Sequence, residues 1–362
     1  MTAPRTVAPA TSNDVGALSP RGGSPPAHPA GGAPDDLPWG ARARPGSEAP
    51  LALVPVRCCL CGATDATPLA TGEDFEYHTS PDAFLAVRCA DCGLVYLNPR
   101  PAPSELDRIY PPDYHAYVFS EERFGFTYRV RRRLEGRRAL GWTRGLPPDA
   151  RILDVGCGDG FHLRLLGEFG APGWRLEGVD PSTRAVRAAR AAGLTVHHGR
   201  VEELSLPRDH YDLVLLIATV EHVDDPAALL RTVRGLLRPS GRAVVITDNA
   251  ATLDFRLFGA RHWGGYHFPR HFTLFDRRTL AVLARTCGLA VDSMGTQVSP
   301  INWVYSVRNA LDDYGAPRWL VERFDMRAPL GLALFTAVDA ACAAAGHGAL
   351  LRAELRRPRE DA

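Results

Sequence analysis

The stretch DVGCGDG, Asp154–Gly160, follows the apolar run RIL and precedes the helix-period segment FHLRLLGEF. Three glycines, Gly156, Gly158 and Gly160, alternate behind an aspartate. A glycine turn between strand and helix lets the main chain take positive φ and lets a ligand approach it closely. Unpaired N–H groups at the helix start would face that ligand. The pattern spreads outward from this turn. Strands are expected at 151–155, 175–180, 195–199, 211–217 and 242–247, with helices at 161–169, 182–192 and 226–237 between them. Such alternation reads as α/β with a largely parallel sheet. Asp225 followed by Pro226 is a start signal, a capping side chain and then proline in the first helical turn. Pro239, Ser240 and Gly241 are expected to stop that helix. A helix at 277–287, a strand near 289–296, two further helical segments and a last strand near 349–357 complete the reading.

The glycine spacing is G-x-G-x-G, whereas a dinucleotide fingerprint reads G-x-G-x-x-G. Asp154 stands two positions before the first glycine. A carboxylate is a poor neighbour for a pyrophosphate and suits a ligand with positive charge and donor groups. S-adenosylmethionine, which has a sulfonium and an ammonium and no phosphate, is such a ligand. Asp180 ends the second strand, where a carboxylate accepts from ribose hydroxyls or caps the next helix. Val201 and Glu202, after the third strand, lie where an adenine edge is expected.

In order and spacing, ILDVGCGDG, GVDPS, YDLVLL and VEHVDDP resemble the class I S-adenosylmethionine-dependent methyltransferases over about residues 150–300. The resemblance implies a Rossmann-like, mostly parallel seven-stranded sheet whose last strand is antiparallel. It also implies that Asp154, Gly156, Gly158 and Gly160 line the methionine end, that Asp180 binds the ribose and that Val201 and Glu202 flank the adenine. Arg200 departs from the acidic residue that many relatives carry after the third strand.

Eight cysteines include two close pairs, Cys58/Cys61 and Cys89/Cys92, each C-x-x-C-G. Four thiolates at such spacing close a tetrahedral structural zinc site, and a redox dithiol pair is the alternative. Cys59 is a spare by spacing. CxxC…CxxCGLVYLNPRP followed by a Y-P-x-x-Y stretch is similar to the zinc-ribbon front end of a bacterial methyltransferase group, which implies sugars or secondary metabolites as substrates.

The expected organisation is an arm at 1–50, a zinc-ribbon unit at 51–100, a connecting helical segment at 101–148 and the methyltransferase domain at 149–362. The arm is rich in Ala, Pro, Gly and Ser, has no apolar signal core, and is expected to be disordered. The apolar run APLGLALFTAV is far short of the roughly 20 residues of a spanning helix. A cytoplasmic protein is expected, with membrane-surface contact at 328–346 as a minority reading. All 42 basic residues are arginine, and a net charge of +1 argues against a chain-wide polyanion binder. No nucleic-acid partner is expected. The arginine-rich segment 129–138 reads as a solvated helix face or as a grip on an acidic acceptor, such as a nucleotide-linked sugar.

The segment from Arg256 to Phe275, RLFGARHWGGYHFPRHFTLF, should sit over the carboxyl ends of the strands. It reads as a mobile lid with Gly264 and Gly265 as hinges, or as a packed cover. His222, His267 and His271 are candidate general bases, histidine being the side chain that titrates near neutral pH. The functional expectation is methyl transfer to a small molecule, a sugar or glycan precursor or secondary metabolite. The alternative is an inactive binding protein whose zinc ribbon docks a partner.

Overall fold

The computed structural model describes residues 49–112, 114 and 120–358. The expected disordered arm lies outside the described residues except at its last two positions, and so does most of PPDYHAY. The described residues begin with β1 (Leu53–Val54), β2 (Ala66–Gly72), β3 (Phe84–Cys89), β4 (Val95–Leu97) and β5 (Arg100–Pro101). Two helices follow, α1 (Leu106–Ile109) and α2 (Glu121–Trp142). The alternating part runs β6 (Arg151–Val155), α3 (Phe161–Phe169), β7 (Arg175–Asp180), α4 (Thr183–Ala191), β8 (Thr195–His198), β9 (Tyr211–Ile217), α5 (Pro226–Leu236) and β10 (Leu237–Asp248). It ends with α6 (Leu253–Phe258), β11 (Thr273–Leu274), α7 (Arg277–Thr286), β12 (Ala290–Gln297), α8 (Ile301–Asp313), α9 (Arg318–Val321), α10 (Pro329–Ala344) and β13 (Leu350–Arg356).

The central sheet has seven strands in the order β12-β13-β10-β9-β6-β7-β8. Strands β8, β7, β6, β9 and β10 are mutually parallel, and β13 runs antiparallel to both β10 and β12. Interior parallel strands are covered on both faces and so read as unbroken apolar runs. YDLVLLI of β9 is such a run, with Leu213 to Leu216 fully buried. On one face Leu153, Val214 and Val245 pack against Leu283 of α7. On the other, Ile152, Leu213 and Val244 pack against Ala139 and Trp142 of α2. The Asp225 side chain accepts from the Ala228 N–H at 2.8 Å and starts α5 as expected. The segment Pro239–Gly241 ends α5 differently from the expectation: it lies inside β10 as a register shift between Leu237 and Arg242.

A second sheet, ordered β11-β4-β3-β2, carries the cysteine pairs. Its edge strand β11 comes from the far side of the sequence and pairs antiparallel with β4, Thr273 with Tyr96 and Leu274 with Val95. The cysteine-bearing sheet is thus completed by the segment expected to cover the site.

The arginine-rich stretch forms the exposed face of α2. Arg129 pairs with Glu121 and Arg132 with Glu168, both largely in solvent, while Arg138 reaches Glu135 and the Val298 carbonyl.

Candidate functional site

Asp154 is the fourth residue of β6 and is 1 % exposed. Its Oδ2 is buried without a hydrogen bond among the described residues. Burial, with the nearby Asp180 carboxylate, pushes its acid up to about 8. The turn behind it bends back on β7, with the Gly156 and Cys157 N–H groups donating to the Val179 carbonyl. Gly156 (φ +75°) and Gly160 (φ +82°) take left-handed backbone that a side chain resists. A Cβ on Gly156 would stand 2.7 Å from the Thr219 hydroxyl, and one on Gly160 would stand 2.1 Å from Leu194. Asp180, at the end of β7, accepts from the Gly158 N–H and the Ser182 N–H, both at 2.8 Å. It ties the turn to the start of α4, and burial raises its acid. The helix cap itself is the Ser182 hydroxyl, which accepts from Ala185.

Beyond β8, Val201 is buried and Glu202 keeps Oε1 buried without a hydrogen bond. Arg200 pairs with Asp224 and lies 4.0 Å from the other oxygen of Glu202. An orphaned carboxylate behind a glycine turn, with further carboxylates at the next two strand ends, suits a cationic ligand rich in donors.

Next to this crevice, imidazoles and phenols gather from three parts of the chain. His222, after β9, has Nδ1 2.9 Å from the Tyr110 hydroxyl and 3.1 Å from the Arg270 carbonyl. In the tautomer in which Nδ1 donates to this carbonyl, Nε2 is the basic nitrogen. His271 is placed the same way by the Gly265 carbonyl, 2.8 Å from its Nδ1. The His222 and His271 rings lie 4.5 Å apart. His267 Nδ1 meets Glu76 at 2.6 Å. Tyr114 stands edge-on to Tyr110 at 5.0 Å and lies 5.9 Å from His267.

Burial drives His271 down to about 4 and His267 well below its usual range, so both are neutral at pH 7. Burial lifts two acids at the same place, Glu221 to about 8, with Asp248 adding repulsion, and Asp248 to about 7. Glu221, His222 and His271 bring one ligand atom each within 4.8 Å of one another, close enough to share a divalent cation.

Arg270 anchors the cage. It is fully buried and grips Asp74 with two contacts, 3.0 and 2.8 Å, while its Nε donates to the Ile109 carbonyl. Burial alone would raise the Asp74 acid, but the guanidinium overrides it and holds the carboxyl well below the usual range. The segment carrying Arg270 and the histidines is packed rather than mobile. Trp263 and Tyr266 are 1 % exposed. Gly265 is there for close approach, since a Cβ would sit 2.3 Å from the Trp263 ring, and Gly264 abuts the Asn302 carbonyl. Packing thus corrects the reading of these glycines as hinges.

Cys58, Cys61, Cys89 and Cys92 converge, with all four sulfurs within 4.8 Å of one another. The Cys58–Cys92 and Cys61–Cys89 pairs are 3.4 and 3.5 Å apart. A tetrahedral zinc with bonds of about 2.3 Å puts its sulfurs slightly under 4 Å apart, so the donor set fits that ion. Burial pushes the Cys58 thiol up, whereas at Cys89 the Cys92 and Asp91 N–H groups outweigh burial and lower the thiol to about 7. Cys59 stands outside the four, 3.7 Å from the Thr273 hydroxyl.

Comparison with known proteins decides the family. A family model described as a methyltransferase domain matches residues 123–294. The chain is 32% identical over 185 residues to a ubiquinone biosynthesis O-methyltransferase of Bordetella bronchiseptica, covering 46% of this chain and 75% of that protein. It is 30% identical over 177 residues to one of Cereibacter sphaeroides, covering 43% of this chain and 67% of that protein. It belongs to the S-adenosylmethionine-dependent methyltransferases. Among solved structures, one from Archaeoglobus fulgidus overlays 66% of this methyltransferase and 97% of its own chain at 20% identity, with a TM-score of 0.42.

The structure of the methyltransferase brings Asp154, the three glycines and Asp180 together, with Val201 and Glu202 at the next strand end. His222, His267 and His271 form one cluster. Sequence reasoning missed Glu76, Tyr110, Tyr114, Glu221, Asp248 and the Arg270–Asp74 pair. Glu221 was the nearest to being found, since it stands beside His222 in the quoted VEHVDDP.

Proposed function

We propose that this methyltransferase methylates a hydroxyl of an uncharged ring, a phenol or a sugar, held among His222, His267, His271, Tyr110 and Tyr114. The carrying observation is the state of the one guanidinium in the cage: Arg270 is wholly engaged by Asp74. The surrounding carboxyl groups of Glu76, Glu221 and Asp248 offer hydrogen-bond partners to hydroxyl groups. The similar proteins are named for O-methylation in ubiquinone biosynthesis, which supports oxygen as the accepting atom.

Bound S-adenosylmethionine supplies an electrophilic methyl carbon. Asp154 and the glycine turn meet its cationic end. Asp180 spends two of about four lone-pair positions on N–H groups, which leaves room for ribose hydroxyls. Val201 and Glu202 take the adenine edge. His222 Nε2 would receive the hydroxyl proton of an acceptor to which bound S-adenosylmethionine supplies the methyl group. Positioning supplies much of the rate, since a displacement needs its three atoms in line. The four thiolates take one structural zinc, which leaves no open coordination position for catalysis. A reducing cytoplasm suits such a site.

The test is S-adenosylhomocysteine release against uncharged catechols, free sugars, nucleotide-linked sugars and amines. Turnover is expected with a ring hydroxyl and is expected to fall about 10²–10⁴-fold in His222→Gln. Turnover with amines alone would refute the reading.

A further inference from the structure

Along β13, from Arg356 to Arg352, a groove of about 320 Å³ is lined by Gly141, Arg144, Arg242, Arg352, Glu354 and Arg356. It is built by the register of the antiparallel edge. Arg242 pairs across to Arg356, and Arg352, Glu354 and Arg356 alternate along one face of β13. The C-terminal turn of α2 closes it with Gly141 and Arg144. Four guanidinium groups therefore face a single carboxylate.

Arg242 is 8 % exposed, and its Nη2 donates to the Trp142 and Arg144 carbonyls, both at 2.7 Å, which fixes the guanidinium in place. Its Nε is buried without a hydrogen bond and lies 4.0 Å from Glu354, beyond bonding range. Arg352 pairs with Glu354 through Nη2, and its Nε is likewise buried and unmet. Arg356 is tied at the rim to Asp292 at 3.0 Å. Two buried donors thus lack hydrogen-bond acceptors among the described residues, in a cluster of guanidinium groups that Glu354, near Arg242 and Arg352, and Asp292, on Arg356, only partly neutralise.

We infer that this groove binds a small phosphate-bearing molecule. Phosphate oxygens match the planar fork of arginine and supply the missing acceptors. Arg242 lies six residue steps, about 20 Å, along β10 from Asp248, and Arg352 stands across from Ile246, two steps from it. The ligand joins the end of α2 to the antiparallel edge of the sheet.

Calorimetry and thermal melting of the full chain with inorganic pyrophosphate, against sodium chloride of equal ionic strength, test this. Pyrophosphate is expected to bind and to raise the melting temperature by a few degrees, with chloride doing neither. Arg352→Gln is expected to weaken binding about tenfold or more, and Arg356→Gln, at the half-exposed rim, to weaken it less. Cofactor affinity should be unchanged in both variants. Equal effects of chloride and pyrophosphate, or undiminished binding in both variants, would overturn the inference.

Discussion

Asp154 is a carboxylate held in a place that suits it only when a cation is present. Its acid sits at about 8, against 3.8 for the free side chain. A raised carboxyl stabilises the fold while protonated, and that contribution is lost as pH rises from about 4 towards 8. The cofactor-free protein should therefore melt at lower temperature at pH 8.5 than at pH 6. S-adenosylmethionine reverses the preference, because its positive charge favours the ionised form. Cofactor binding at pH 7 is then expected to release a proton, read by calorimetry in two buffers of different ionisation heat, and to tighten with pH up to about 8. Asp154→Asn should abolish the release and weaken binding about 10–100-fold. If the variant still released the proton, Glu221 or Asp248 would be its source. Gly156→Ala tests the same turn sterically. Positive φ and the Thr219 hydroxyl at 2.7 Å leave no place for a methyl group, so cofactor binding should be lost beyond detection.

The elements differ in how far the sequence revealed them, and the reason is physical. β9 was legible because an interior parallel strand is a nearly continuous apolar run, β6 and β7 because each ends in an aspartate before a turn and a helix, and the glycine turn because its conformation demands that residue. β11 was not legible. Two residues, Thr273 and Leu274, form it only because β4 offers a free edge. The cage was legible only where its residues cluster in sequence. His222, His267 and His271 stand in short motifs, whereas Arg270 meets Asp74 across 196 residues and Tyr110 meets His222 across 112. Contacts that distant leave no periodicity to read. The Arg270–Asp74 pair also yields a stability prediction. Arg270→Met strands a buried carboxylate and should cost about 3–5 kcal/mol in urea unfolding, while the paired change with Asp74→Leu should recover a good part of it. A loss below 1 kcal/mol in the single variant would mean that water reaches the pair.

Across the whole molecule, the cysteine unit and part of the cage are one construction. Glu76 and Asp74 lie between β2 and β3, and Arg270 and His271 precede β11, so these parts of the cage hang from the sheet that carries the four cysteines, while Glu221, His222 and Asp248 stand at the ends of β9 and β10 of the central sheet. The cofactor crevice rests instead on β6, β7 and β8, across the central sheet. A metal at the cysteines should therefore govern acceptor use more than cofactor binding. Metal analysis is expected to return about one zinc per chain. Chelation, or Cys89→Ser, should remove the metal and lower turnover at least tenfold, since small cysteine-held units draw much of their folding free energy from the ion. The affinity for S-adenosylmethionine should fall less than turnover, because the cysteine unit meets β6 and β7 through the apolar cluster that Cys58 and Cys89 share with Val155 and Val179, whereas Arg270 and His271 are carried by its own sheet. Cofactor binding lost together with the metal would show that the cysteine sheet supports the whole fold. Turnover kept without metal would show that packing around Arg270 holds the cage unaided.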